Sequence, residues 1–197
     1  MRGFYRGWMD EEESLIIDEY AQKKCNSYQP NLIQWLIDSD AAGVVVSVEP
    51  LENDRSHPDY FTQQILIDKA LSYIQKAGLD APTRRGTVFT WRYRLNDHDE
   101  WVPPAYDLSC YDDDHDFPVV VCLFYTRKDG EIEGGHLHLP SIHMEERTET
   151  GRVVVMRGGM QHVHTPCRGC GEMRMVAVAL YVDPQDKSAC SWWTERW

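Results

Sequence analysis

At 197 residues the chain has the length of a single domain, or of one domain with a helical extension, and is long enough to bury a full core. Its 32 acidic against 20 basic side chains give a net charge of −12, which disfavours extended contact with nucleic acid or an anionic membrane surface. No stretch approaches the ~18 apolar residues of a membrane span, and the first residues lack the apolar core of a signal peptide. An intracellular protein is therefore expected, with its six scattered cysteines as reduced thiols.

Helical patterns come first. Asp10-Glu-Glu-Glu places acidic residues in a first turn, where the helix dipole favours them, and Ile16, Ile17, Tyr20 and Ala21 give that helix an apolar face. Pro30 opens a second helix whose stripe is Leu32, Ile33, Leu36 and Ile37. Gly43 to Val48 reads as a buried strand. His57-Pro58 begins a longer helix running to about Ala77, with Ile67, Leu71 and Ile74 on one face and Gly78 as its stop.

From Gly86 onward the periodicity is that of strands. Thr87 to Leu95 is rich in β-formers and is followed by a polar loop, Asn96 to Glu100. Residues 101–116 carry no clear periodicity. Four further short strands follow: Val119 to Tyr125, Gly134 to Pro140, Gly151 to Met156, and Met173 to Val182. That density of strands with glycine punctuation argues for an antiparallel sandwich or barrel. The third run ends in Gly158-Gly159 with His162 just beyond it, and Arg174 lies near the start of the fourth. A histidine at a strand end and a cation on the next strand suggest a metal site with an anion beside it.

In order and spacing, residues 86–182 resemble the iron(II)/2-oxoglutarate dioxygenase superfamily, nearest to its prolyl-hydroxylase-like members. The matching features are Trp91-Arg-Tyr-Arg, Val119 to Tyr125, Gly134-Gly135, Gly151-Arg-Val-Val-Val-Met with His162, Pro166 and Arg174. The resemblance implies an α+β chain: a double-stranded β-helix, jelly-roll or cupin-like, over 86–197, with residues 1–85 as a supporting helical layer of the same structural domain. It implies Fe(II) bound by His162, and 2-oxoglutarate whose distal carboxylate is held by Arg174, with a hydroxyl from Tyr125 assisting. Arginine suits that role because its planar fork can grip a carboxylate through two bonds.

The chain departs from the family at the His-x-Asp pair, which completes two histidines and one carboxylate around the iron. That pair belongs near residues 103–113, where there is no histidine. Asp107 is the first choice among the carboxylates, and His115, in Asp112-Asp-Asp-His-Asp116, is the replacement histidine. His98-Asp-Glu100 has suitable chemistry but lies very close to Tyr93. Two other metal readings stay open. His136 and His138 with His162 would make a cupin-like centre, although strand alternation turns Leu137 and Leu139 inward and both histidines outward. Cys167 and Cys170 beside His162 and His164 would make a zinc set, against a plain turn carrying two thiols.

The expectation is an oxygenase that hydroxylates or otherwise oxidises a small molecule or a protein side chain, using Fe(II) and 2-oxoglutarate. The rivals are a non-catalytic barrel serving as a binding or scaffold module, and a cupin-like metalloprotein.

Overall fold

The computed structural model describes residues 4–26, 44–51, 54–79, 83–102, 119–157, 160 and 162–182, with 44–48 and 96–102 described by their backbone alone. The chain opens on strand β1 (Phe4–Trp8), a segment whose aromatic residues gave no strand signal at so short a length. Helix α1 (Glu11–Asn26) follows. Asp10 caps it reciprocally: its Oδ1 accepts from the Glu13 amide at 2.8 Å, while Glu13 Oε2 accepts from the Asp10 amide at 3.2 Å. Ile17, Tyr20, Ala21 and Cys25 form its buried face.

Strand β2 (Val44–Pro50) and helix α2 (Tyr60–Lys76) stand close to where the sequence puts them, with Gly78 at φ 71° ending the helix. The expected helix after Pro30 lies outside the described residues. Seven more strands follow: β3 (Gly86–Val102), β4 (Val119–Gly134), β5 (Leu137–Leu139), β6 (Met144–Glu146), β7 (Arg152–Arg157), β8 (Val163–His164) and β9 (Cys167–Tyr181). Asn96 to Glu100 is strand and not loop, because the long β9 supplies a pairing partner through two irregularities in register.

Among the described residues all strand pairings are antiparallel. A major sheet has the order β1-β7-β4-β9-β3-β2, and a minor sheet has the order β6-β5-β8. Two apolar clusters sit on the two faces of the major sheet. The outer one joins Val120, Cys122, Phe124, Val153, Val155, Val176, Val178 and Leu180 to Ile17, Leu66, Ile67 and Ile74 of the helices. The inner one joins Trp91, Tyr93, Leu123, Tyr125, Val154, Met173, Met175 and Ala177 to Leu137 and Leu139 of the minor sheet. The chain is thus a double-stranded β-helix with a helical layer on the outer face of its larger sheet.

Candidate metal and co-substrate site

Strand alternation decides which side chains reach the space between the sheets. On β4 the inner set is Val121, Leu123 and Tyr125, and on β9 it is Met173, Met175, Ala177 and Ala179. Tyr125 is 1% exposed and its hydroxyl lies 3.0 Å from His164 Nε2, the two rings meeting edge to face. Burial pushes its phenol well above the ordinary range, with the Glu146 carboxylate adding to the effect, so the hydroxyl stays neutral. His164 is brought to it by β8, where it pairs with Leu137.

His162, two residues earlier, is 4% exposed. Its Nδ1 lies 2.7 Å from the carbonyl oxygen of Met160. A carbonyl can only accept, so Nδ1 carries the proton and a neutral His162 has its lone pair on Nε2, which is itself buried. A backbone carbonyl fixing one ring nitrogen so that the other can bind is how metal-ligating histidines are oriented. His162 therefore fits a metal ligand in tautomer and burial.

Arg174 differs from the expectation. It is 2% exposed, but lies on the outer face of β9, between the inward Met173 and Met175. Its Nη2 meets Asp18 Oδ2 of α1 at 2.9 Å, and its Nε meets Glu172 Oε1 at 3.1 Å. Burial raises the Asp18 carboxyl above its usual range, opposed by the Arg174 charge. The physical reason is parity: one residue along a strand is the opposite face, so an arginine in the right order along the chain sits behind the sheet from Tyr125.

Asp107 and His115 lie outside the described residues. Among the described residues no three His, Cys, Asp or Glu side chains cluster closely enough to hold a metal ion. Leu137 and Leu139 are fully buried within the inner cluster, and His138 between them is not part of that interior. The residues 167 and 170 are not in a turn: both lie on β9, Cys167 buried and Cys170 exposed, so they do not converge on one ion. Sequence reasoning missed His164 as the partner of Tyr125. It also missed the buried Glu146, which holds Arg152 Nε at 2.5 Å opposite Tyr125. A cleft of about 480 Å³ between the start of α1 and the outer side of β4 includes Trp8, Asp18, Thr126 and Arg127 in its lining, and none of His162, His164 or Tyr125.

No protein-family model and no curated relative matches this sequence. Solved structures do resemble the fold. A viral collagen prolyl hydroxylase from Paramecium bursaria Chlorella virus-1, in its 2-oxoglutarate complex, superposes over 91% of this chain and 96% of its own at 13% identity and a TM-score of 0.55. A Pseudomonas putida prolyl-4-hydroxylase covers 93% and 94% at 11% identity, TM-score 0.52. A Trichoplax adhaerens prolyl hydroxylase, bound to a peptide fragment of a hypoxia inducible factor oxygen degradation domain, covers 100% and 89% at 10% identity, TM-score 0.56. At such identities the likeness concerns architecture: this chain has the double-stranded β-helix fold seen in prolyl hydroxylases.

Proposed function

We propose that the chain is a non-haem Fe(II)- and 2-oxoglutarate-dependent oxygenase acting on a small molecule or a peptide side chain. The observation that carries the reading is His162, buried in a double-stranded β-helix with Nδ1–H committed to the Met160 carbonyl. Asp107 and His115 are the proposed partners of His162 in holding the metal. Tyr125, inward and neutral, is the proposed hydroxyl donor toward the co-substrate, with His164 setting the direction of its O–H bond. Fe(II) bound there would supply the oxidation, coupled to decarboxylation of 2-oxoglutarate to succinate. The protein's share is to orient the ligands and exclude water, which the inner cluster of Trp91, Tyr93, Leu137 and Leu139 is suited to do. A peptide substrate is supported by the peptide bound to the Trichoplax prolyl hydroxylase.

The test is anaerobic titration of metal-stripped protein with Fe(II) and 2-oxoglutarate, watching for the visible charge-transfer band of a chelated complex. A saturable band that vanishes in His162→Ala supports the reading and makes Asp107→Ala and His115→Ala the next variants. A folded protein with no band overturns it. The second reading, a barrel kept as a binding module, is favoured by Arg174, whose guanidinium is engaged by Asp18 of α1.

A further inference from the structure

Among the described residues four large apolar side chains are exposed, and two of them, Trp8 at 53% and Leu15 at 60%, border the cleft between the start of α1 and β4. The other two, Phe61 and Ile65, lie on α2. The Trp8 ring is held in place although it is not buried. Pairing of β1 with β7 sets Trp8 opposite Arg152, whose guanidinium carbon lies 4.6 Å from the ring centroid. Beside it Gly151, at φ 87°, leaves only contact distance to the indole: a Cβ there would stand 3.7 Å from the ring. An indole fixed in this way and half open to solvent is an apolar platform that needs little ordering when a ligand arrives.

The charged groups around this platform are mainly anionic. Glu11, Leu15 and Asp18 follow one another at helical spacing along the side of α1 that lines the cleft, with Asp10 at the cap. Arg127, from β4, is the one cation among the described lining residues, and Asp129 already binds it, with Nε to Oδ2 at 2.6 Å.

Asp18 is the most buried of the three carboxylates. Its Oδ2 is engaged by Arg174, but its Oδ1 is buried and makes no hydrogen bond among the described residues. Burial raises the Asp18 carboxyl above its ordinary range, outweighing the nearby Thr126 hydroxyl and the Arg174 charge. That hydroxyl donates to the Arg174 carbonyl, at 3.3 Å. A buried carboxylate oxygen without a donor is costly, and a donor entering the cleft would relieve that cost.

We infer that this cleft receives an arginine side chain of a basic partner polypeptide, with its guanidinium on Asp18 and its methylenes against Trp8 and Leu15. Arginine fits because its planar fork carries several donors, enough for Asp18 and Glu11 together, and stacks on an aromatic face. The net charge of −12 draws such a partner in from a distance. Neither His162 nor Tyr125 lines the cleft, so the inference does not rest on the oxygenase reading.

The probe is the tripeptide acetyl-Gly-Arg-Gly-amide, titrated at low salt into isotopically labelled full-length protein and followed by NMR. The Trp8 indole N–H is identified by its loss in Trp8→Phe. Saturable movement of that resonance is expected. Binding should be weaker by about tenfold for the same peptide carrying citrulline, which is uncharged, and in Asp18→Asn, because each loses a charge-assisted hydrogen bond. Trp8→Ala, read on the Gly151 amide, should weaken binding about threefold. Glu12→Gln removes the same charge as Asp18→Asn from outside the cleft and should have little effect. Leu15→Arg, at an exposed position, sets the chain's own guanidinium in the cleft and should abolish binding, which serves if Asp18→Asn does not fold. No saturable shift, equal binding of the citrulline peptide, or an Asp18→Asn effect no larger than that of Glu12→Gln would each overturn the site, as would undiminished binding in Leu15→Arg.

Discussion

Arg174 and Asp18 are unequal partners, with side chains 2% and 20% exposed. Removing the arginine strands the half-buried carboxylate against the sheet, whereas removing the carboxylate leaves Glu172 to answer the guanidinium. Arg174→Met should therefore destabilise by about 3 kcal/mol and Asp18→Asn by less, with the double variant costing less than the sum. Urea denaturation of the four proteins measures this. A fully additive cycle would show the pair to be uncoupled. The face of Arg174 was not legible in the sequence, because β9 is apolar on both sides: Met173, Met175 and Ala177 face in, Val176 and Val178 face out. Alternation gives no parity when both faces are covered. His162 and Tyr125 were legible as inner candidates because each is marked by a neighbouring signal, the glycine pair in one case and the end of a β-branched run in the other.

Between elements, charge ties the helical layer together. Lys24 of α1 is 7% exposed, and its Nζ lies 2.7 Å from Asp59 Oδ2, just before α2, and 2.7 Å from Glu49 Oε1 on β2. Lys23 reaches the other oxygen of Asp59 at 2.6 Å. Burial alone would raise the Asp59 carboxyl, but the hydrogen bonds from both lysines outweigh it and hold the group below its ordinary value; Lys24, despite burial, is held above its own. A depressed carboxyl contributes stability that is present above its unfolded value and lost as pH falls through the folded one, below about 4. A raised lysine contributes stability that is full below its unfolded value and lost as pH rises through the folded one, above about 10. Urea midpoints should fall at both ends of that window, and in Lys24→Met the fall at the acid end should shrink, against a loss at neutral pH of about 3 kcal/mol. An acid limb unchanged by the substitution would place its origin elsewhere. Helices α1 and α2 were readable, the first from its acidic first turn, the second from its glycine stop, and both from their apolar faces. β1 was not, because five residues are too few for a periodic signal and its strand character comes from pairing with β7.

Across the whole molecule, the major sheet belongs to two cores at once. Within β4, Cys122 and Phe124 pack toward the helices while Leu123 and Tyr125 pack toward the minor sheet. The outer core is not a separate unit: Phe124 meets Tyr73 of α2 with ring centroids 6.1 Å apart, and the Tyr73 hydroxyl donates to Glu13 of α1 at 2.7 Å. Melting the helical layer would expose the outer face of the same strands whose inner face carries Leu123 and Tyr125, so neither layer has a stable surface on which to remain folded alone. Residues 1–85 and 86–197 should consequently unfold as one cooperative unit. Far-UV circular dichroism, which follows the helices, and fluorescence from the tryptophans, which include the inner Trp91, should give coincident urea transitions. Phe124→Ala and Leu123→Ala, on opposite faces, should each shift both probes together, by about 3–5 and 2–5 kcal/mol respectively. If Phe124→Ala moved the helical transition alone, the helices would be a separable accessory, and the charge network at Lys24 would be holding together a layer that the barrel does not need.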